Sequence, residues 1–271
     1  MNLAEKLLEP GLATPDRLAM SVVGLSRADR WSHARLRDTV LRIATGLAKA
    51  GLSRADHLLL PLSEHPDRAI AWLGAIAAGI VPVTVPLRQN DASIAQFAAQ
   101  FPTATLLVDR AAPHSFKRTI DLATILKTDT SPLTSFAEDA STYILVTSRG
   151  EIRPSVSGPT PLPDLTPQDR LLQPHAFAPD DPIGAGILSA WAIGATALIP
   201  ASGVTPAQIP LLGARHGATL LVASVRLLDE ILASDWRPWS ALRHALTPDT
   251  DDRDPGARWS ERTGTPLIYL T

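Results

Sequence analysis

Short apolar runs alternate with amphipathic stretches along most of this chain, and that alternation constrains its fold more than any other feature. Leu36, Val40, Ile43 and Leu47 recur at helical spacing and put one apolar face on a helix, with Ser32 as a candidate cap and Gly51 as a stop. His57–Leu62 follows as a buried strand, Pro66–Ala78 as a helix stopped by Gly79, and Ile80–Val85 as a strand. Pro82 within Ile80–Val85 suggests an edge position or a strand end. Asp91–Gln100 reads as a helix and Thr105–Val108 as the next strand. Strands alternating with helices imply a mostly parallel sheet with helices on both faces.

The same alternation resumes after a polar, irregular connector at Ala111–Ala140. Thr142–Thr147 is a strand, followed by a long loop rich in Pro, Ser and Gly, Ser148–Pro167. Arg170–Gln173, Thr196–Pro200, Ala218–Ala223, His244–Leu246 and Leu267–Leu270 read as strands. Helices are expected at Gly184–Ile193, Arg226–Ala233 and Pro255–Thr263. Thr205, Pro206 and Gln208 form a capping box with proline at the first helical position, opening a helix that ends at His216 and Gly217. The expectation is an α/β protein of two doubly wound, mostly parallel sheet units, with subdomains at residues 1–140 and 141–271.

Composition removes several function classes. The net charge of −2 and the absence of a basic block argue against nucleic acid or an anionic membrane as a partner. Without cysteine there is no thiolate chemistry and no cysteine-bound zinc. The histidines lack zinc spacing, and no Gly-x-Ser-x-Gly elbow occurs. Asp249, Asp251, Asp252 and Asp254 read as a solvated acidic turn rather than a cation site. The six tryptophans read as packing residues. Ile183–Ala201 is broken by small and polar residues and ends in a proline turn, so it is no membrane span, and Met1–Glu9 is no signal peptide. A cytoplasmic protein is expected.

The ordered series "RWSHARLRDTVLRIATGLAKAGLSRADHLLLPL", "AIAWLGAIAAGIVPVTVPL", "GATALIPASGVTPAQIPLLGARHGATLLVAS", "ALRHALT" and "ERTGTPLIYLT" resembles the N-terminal portion of the AMP-dependent synthetase and ligase family. That family includes acyl-CoA synthetases and peptide-synthetase adenylation domains, and the resemblance leans to the branch acting on small or aromatic acids. It implies that the strand at Thr142–Thr147 leads into a phosphate loop of the pattern Thr-Ser-Gly, two hydroxyl residues, Gly, any residue, Pro, Lys, Gly. Such a loop brings backbone N–H groups, hydroxyls and a lysine to ATP phosphates.

Here Thr147, Ser148 and Pro154 match, and Gly150 and Arg153 lie within the stretch. Arg149 replaces the first glycine, the hydroxyl pair is gone, Ser155 stands at the lysine position, and Glu151 places a carboxylate where phosphate oxygens would sit. The resemblance further implies an acyl pocket lined by His175, Phe177 and Leu246, and ATP or AMP with magnesium as co-substrate if that site survives. Where the family has a Gly-Glu pair, this chain reads Thr247, Pro248, Asp249. The family's adenine motif, ribose-binding aspartate and lid lysine would all fall after Thr271, and no lysine follows Lys127.

These departures imply a degenerate, truncated relative: a non-catalytic binder of a small acid or nucleotide, or a scaffold or regulatory protein. Half of a split ligase and a ligase using unusual residues are the alternatives. Arg149–Pro163 is expected to lack fixed structure, and a homo-oligomer or a protein partner is expected to cover the last strand.

Overall fold

The computed structural model describes residues 1–62, 66–85, 91–109, 118–127, 131–138, 142–146, 151–155, 158–159, 161–174, 186–236, 239–248 and 255–270. The chain opens with helix α1 (Leu3–Leu8), hairpin β1 (Leu18–Val23) and β2 (Ala28–Ser32), and helix α2 (His33–Lys49). Of the described residues, Met1–Glu9 and Ala34–Gly158 form one compact unit, while Pro10–His33, Pro159–Ala176 and Ile183–Thr271 form a second. The boundary expected at 140/141 differs from this division, because the strand at Tyr143–Val146 pairs into the first sheet.

The first unit holds β3 (His57–Leu60), α3 (Pro66–Ala77), β4 (Val81–Thr84), α4 (Asp91–Ala99), β5 (Thr105–Val108), β6 (Thr119–Asp121), α5 (Leu122–Lys127), β7 (Tyr143–Val146) and β8 (Ile152–Ser155). Its sheet runs β6-β5-β3-β4-β7-β8. All pairs are parallel except β7 with β8. The apolar face of α2, Leu36, Val40, Ile43 and Leu47, is buried as its spacing requires. In α3 every residue but Asp67 is buried, and Gly74 lets it approach α2 closely. A Cβ at Gly74 would sit 2.5 Å from Ile43 Cγ2 and 3.2 Å from the Val40 carbonyl oxygen. Buried Asn2 ties this layer together. Its amide donates to the carbonyls of Ile76 at 2.8 Å and Ala137 at 2.9 Å, and its oxygen accepts from the first-turn amide of Ala4.

Three expectations for this unit change. Pro82 does not mark an edge, because β4 lies between β3 and β7, but it does lie near the N-terminal end of the strand. The Val81 N–H donates to Asp56 on the β3 side, so Pro82 turns its missing donor toward β7, whose pairing starts only at Val83. The connector at 111–140 contributes β6 and α5, with Leu122 and Ile125 buried. The stretch Arg149–Pro163, expected to lack fixed structure, contains a paired edge strand in β8. Its register runs from Tyr143↔Ser155 to Val146↔Ile152 and satisfies the free edge of β7, and Pro154 is tolerated at the sheet edge.

The second unit adds β9 (Arg170–Leu172), α6 (Ile187–Trp191), β10 (Thr196–Pro200), α7 (Ile209–His216), β11 (Leu220–Val222), α8 (Val225–Leu232), β12 (His244–Thr247), α9 (Gly256–Thr263) and β13 (Leu267–Tyr269). Its sheet runs β13-β12-β11-β9-β10-β1-β2, parallel except for the β1–β2 hairpin. The capping box forms as expected, with Gln208 Oε1 accepting from the Thr205 N–H at 2.9 Å. Gly217 ends α7 in the left-handed region at φ 62°, where a side chain would be strained. Trp236, Trp239 and Trp259 pack into one core with Leu221, Leu228, Ile231 and Ala245. Five of the six tryptophans are buried, and Trp31 lies on the edge strand β2.

Asp169, immediately before β9, ties the N-terminal ends of three strands. It accepts from the Thr166 N–H at 2.7 Å, Thr166 Oγ1 at 2.8 Å, Thr219 Oγ1 at 2.7 Å and Arg243 at 2.8 Å. Thr219 precedes β11 and Arg243 precedes β12.

His33 is buried against Gly11, where a Cβ would meet its Nδ1 at 2.4 Å. Burial and the Arg17 charge hold its pKa below the ordinary histidine value of 6.5, although the Gly194 carbonyl acts the other way. The unfolded chain therefore binds a proton that the folded chain resists, and stability falls as pH drops through that value. Unfolding midpoints in urea should decline between about pH 7 and 5, and His33→Gln should flatten that slope. An unchanged slope would assign the acid sensitivity to other groups. Among the described residues no helix is long and apolar enough to cross a membrane.

Candidate functional site

The phosphate-loop stretch falls between β7 and β8, whose last pair is Val146↔Ile152. Thr147, Ser148, Arg149 and Gly150 lie outside the described residues. Past them, Glu151 and Arg153 are both exposed, and their side chains form an ion pair with each other. The carboxylate thus holds the described guanidinium of this stretch within the stretch itself. An exposed pair of this kind adds little stability.

His175 and Phe177 also lie outside the described residues. Leu246 is fully buried in β12, paired with Val222 on one side and Ile268 on the other. Alternation along the strand puts Leu246 on the sheet face opposite Ala245 and hence opposite the tryptophan core. Arg153 belongs to the first unit and Leu246 to the second.

Two polar side chains sit at the C-terminal ends of parallel strands in the second unit: Gln173, not singled out in the sequence, and Thr247, named there at the family's Gly-Glu position. Gln173 follows β9 and is buried, with its N–H donating to the Leu198 carbonyl at 2.9 Å. Thr247 ends β12 with no exposed surface, and its carbonyl accepts from Leu270 at 2.9 Å. Open α/β sheets bind ligands beyond the carboxyl ends of their strands. A polar residue closing an apolar run was the available signal, and it occurs in both "RLLQ" and "HALT".

The model of the AMP-binding enzyme family matches residues 10–161, more than half of the chain. The chain therefore belongs to the AMP-binding enzyme family. A 57-residue stretch is 40% identical to 4-hydroxybenzoate–CoA/benzoate–CoA ligase of Rhodopseudomonas palustris, covering 21% of this chain and 11% of that protein.

The solved structure of a benzoate CoA ligase from Burkholderia xenovorans superposes with a TM-score of 0.76 at 17% identity, over 99% of this chain and 60% of the other. The N-terminal subdomain of Klebsiella oxytoca NpsA, solved with 3-hydroxybenzoyl-AMSN, gives 0.77 at 16% identity, over 98% of this chain and 71% of the other. These likenesses establish the fold as that of the N-terminal domain of adenylate-forming enzymes. The chain spans 60% of the benzoate CoA ligase's length.

Proposed function

We propose that this chain is an adenylate-forming-family domain that does not adenylate a carboxylic acid by itself and instead binds a small acid or nucleotide, or acts as a scaffold. The observation that carries this reading is the Glu151–Arg153 ion pair in the phosphate-loop stretch. Adenylation requires that the triphosphate be cradled and that positive charge meet the charge developing at the α-phosphate. Here a carboxylate stands two residues from Arg153 and pairs with it, so an incoming polyphosphate would meet a negative charge in this stretch. Arg149 in place of the first glycine and Ser155 in place of the lysine remove further contributions. Losing one such electrostatic contact costs roughly a hundredfold to a thousandfold in rate.

The acid would sit in the second unit beyond the carboxyl ends of β9 and β12, nearest Gln173 and Thr247. As a scaffold, the unit would offer the backbone of its outer strand β13 to a protein partner or a second copy.

ATP–pyrophosphate exchange with magnesium, over benzoate, 4-hydroxybenzoate and aliphatic acids, should stay at background for the 271-residue chain. Exchange clearly above background that is abolished by Arg153→Ala would overturn the reading. The 40% identity to a benzoate-activating ligase over 57 residues favours a second reading, in which the chain supplies part of an aromatic-acid ligase completed by another polypeptide. Saturable benzoate binding, with exchange appearing only when a co-purifying polypeptide is added back, would support it.

A further inference from the structure

Helices α8 and α9 of the second unit flank a groove of about 780 Å³, lined by Asp229, Leu232 and Ala233 on one side and by Arg258, Glu261 and Arg262 on the other. The helical period explains why the charges of α9 gather there. Trp259 is buried in the tryptophan core, so Arg258, Glu261 and Arg262, three and four positions apart, share the outer face. Leu232 is half-buried against the same core and gives the groove an apolar wall.

The charged side chains of the groove differ in how they are held. Arg258 forms an ion pair with Asp229, joining the two walls. Arg262 is fixed without a carboxylate. Its guanidinium lies over the Trp236 ring, 5.6 Å from the centroid, and its Nη2 donates to the carbonyls of Trp236 at 3.1 Å and Ser234 at 3.3 Å. These contacts restrict the side chain in advance, so pairing it with an acid costs less ordering entropy. Among the described residues neither Arg262 nor Glu261 has an ion-pair partner.

The lining carries two positive and two negative side chains, so it selects neither a polyanion nor a polycation. It fits a surface on which an acid and a guanidinium stand side by side, and the chain carries such a surface in this same groove. Under a two-fold axis a cation beside an anion faces an anion beside a cation, and one contact is made twice. We propose that the α8–α9 groove is a self-association surface in which Glu261 of each copy pairs with Arg262 of the other. The aliphatic stems of these side chains would cover Leu232 and Ala233. A contact carried by exposed charges weakens with salt. The proposal is independent of the adenylation reading, and it uses side chains of α9 rather than the backbone of β13.

The test is sedimentation equilibrium of the full chain over a range of concentrations. The wild type should show a monomer–dimer equilibrium whose dissociation constant rises with sodium chloride. Glu261→Arg sets cations against cations, and Arg262→Glu sets anions against anions. Each should weaken self-association by roughly a hundredfold, as attraction becomes repulsion at both symmetry-related pairs. Mixed in equal amounts, the two variants should form a heterodimer, which would itself show that both are folded. If Arg262→Glu does not fold, Glu261→Arg decides alone, because it leaves the Trp236 contacts of Arg262 in place. A wild-type chain that stays monomeric would leave the groove to another occupant and overturn the proposal. So would a dimer that Glu261→Arg leaves intact, or two folded variants that fail to associate when mixed.

Discussion

Asp169→Ala is expected to lower the unfolding free energy by about 2 kcal/mol, the loss typical when the buried acceptor of a charge-assisted hydrogen bond is removed. The carboxylate is buried and accepts from Thr166, Thr219 and Arg243. Its removal takes away the shared acceptor of two hydroxyls, an amide and a guanidinium at the start of β9, β11 and β12, although Arg243 keeps the Asp164 carbonyl. Thr219→Val removes the donor to Asp169 and the acceptor of the Arg170 N–H, and should cost about 1–2 kcal/mol.

Burial alone would raise the Asp169 pKa, but the hydrogen bonds from Thr219 and Thr166 and the Arg243 charge outweigh it and leave it below the ordinary aspartate value. Its stabilisation is therefore present at neutral pH and is lost as pH falls through the folded value, below about 3.8. Urea unfolding of both variants, with the slope checked for constancy, measures the effect. A loss under about 1 kcal/mol for Asp169→Ala would show that the network is not cooperative.

Gly74→Val should destabilise the first unit by a comparable amount, about 3 kcal/mol, at the upper end for overpacking a tight core. The added Cβ alone would lie 2.5 Å from Ile43 Cγ2 and 2.9 Å from Ile43 Cβ, with the Val40 carbonyl oxygen at 3.2 Å. The Ile43 side chain could turn away only into a core already filled, and the Val40 carbonyl is fixed in α2. Ile43→Ala on its own should cost about 2–5 kcal/mol through its cavity. Combined with Gly74→Val it should cost less than the sum, because the valine occupies the space vacated. Strict additivity of the two would mean that α2 and α3 separate rather than repack.

The elements whose signal is local were legible in the sequence. The stripe on α2, the alternation of strands and helices, and the Thr205, Pro206 and Gln208 capping box each lie within one short window. Of the edge strands among the described residues, β13 was legible at Leu267–Leu270, whereas β2, β6 and β8 were not. β2 reads Ala-Asp-Arg-Trp-Ser and β6 reads Thr-Ile-Asp, so neither carries enough apolar residues to announce itself. Each forms because a neighbour's edge needs a partner, and that information resides in the neighbour.

Long-range polar ties were equally silent. Thr219 lies 50 residues from Asp169 and Arg243 lies 74 residues from it. Asn2, an unremarkable polar residue near the start, reaches Ala137. The site was legible only through family pattern. Thr147, Ser148, Arg149, Gly150, His175 and Phe177 were placed by resemblance and lie outside the described residues, whereas Gln173 emerges from its burial at a strand end.

The pairing of β1 has a consequence for synthesis on the ribosome. Met20 pairs with Ala197, a separation of 177 positions (197 − 20). A chain emerging from its N-terminus must carry the β1–β2 hairpin exposed until β10 has been made. The strands from β3 to β8, by contrast, complete their sheet from consecutive sequence. Closing so long a loop costs little more at equilibrium than closing one half its length. In time, however, the delay is many seconds at ordinary elongation rates. During that interval the apolar residues Ala19, Met20 and Val23, all buried in the finished sheet, have no partner strand on one side. The N-terminal hairpin is thus the segment on which a nascent-chain chaperone would act, and slowing translation before residue 196 would extend its exposure rather than assist folding.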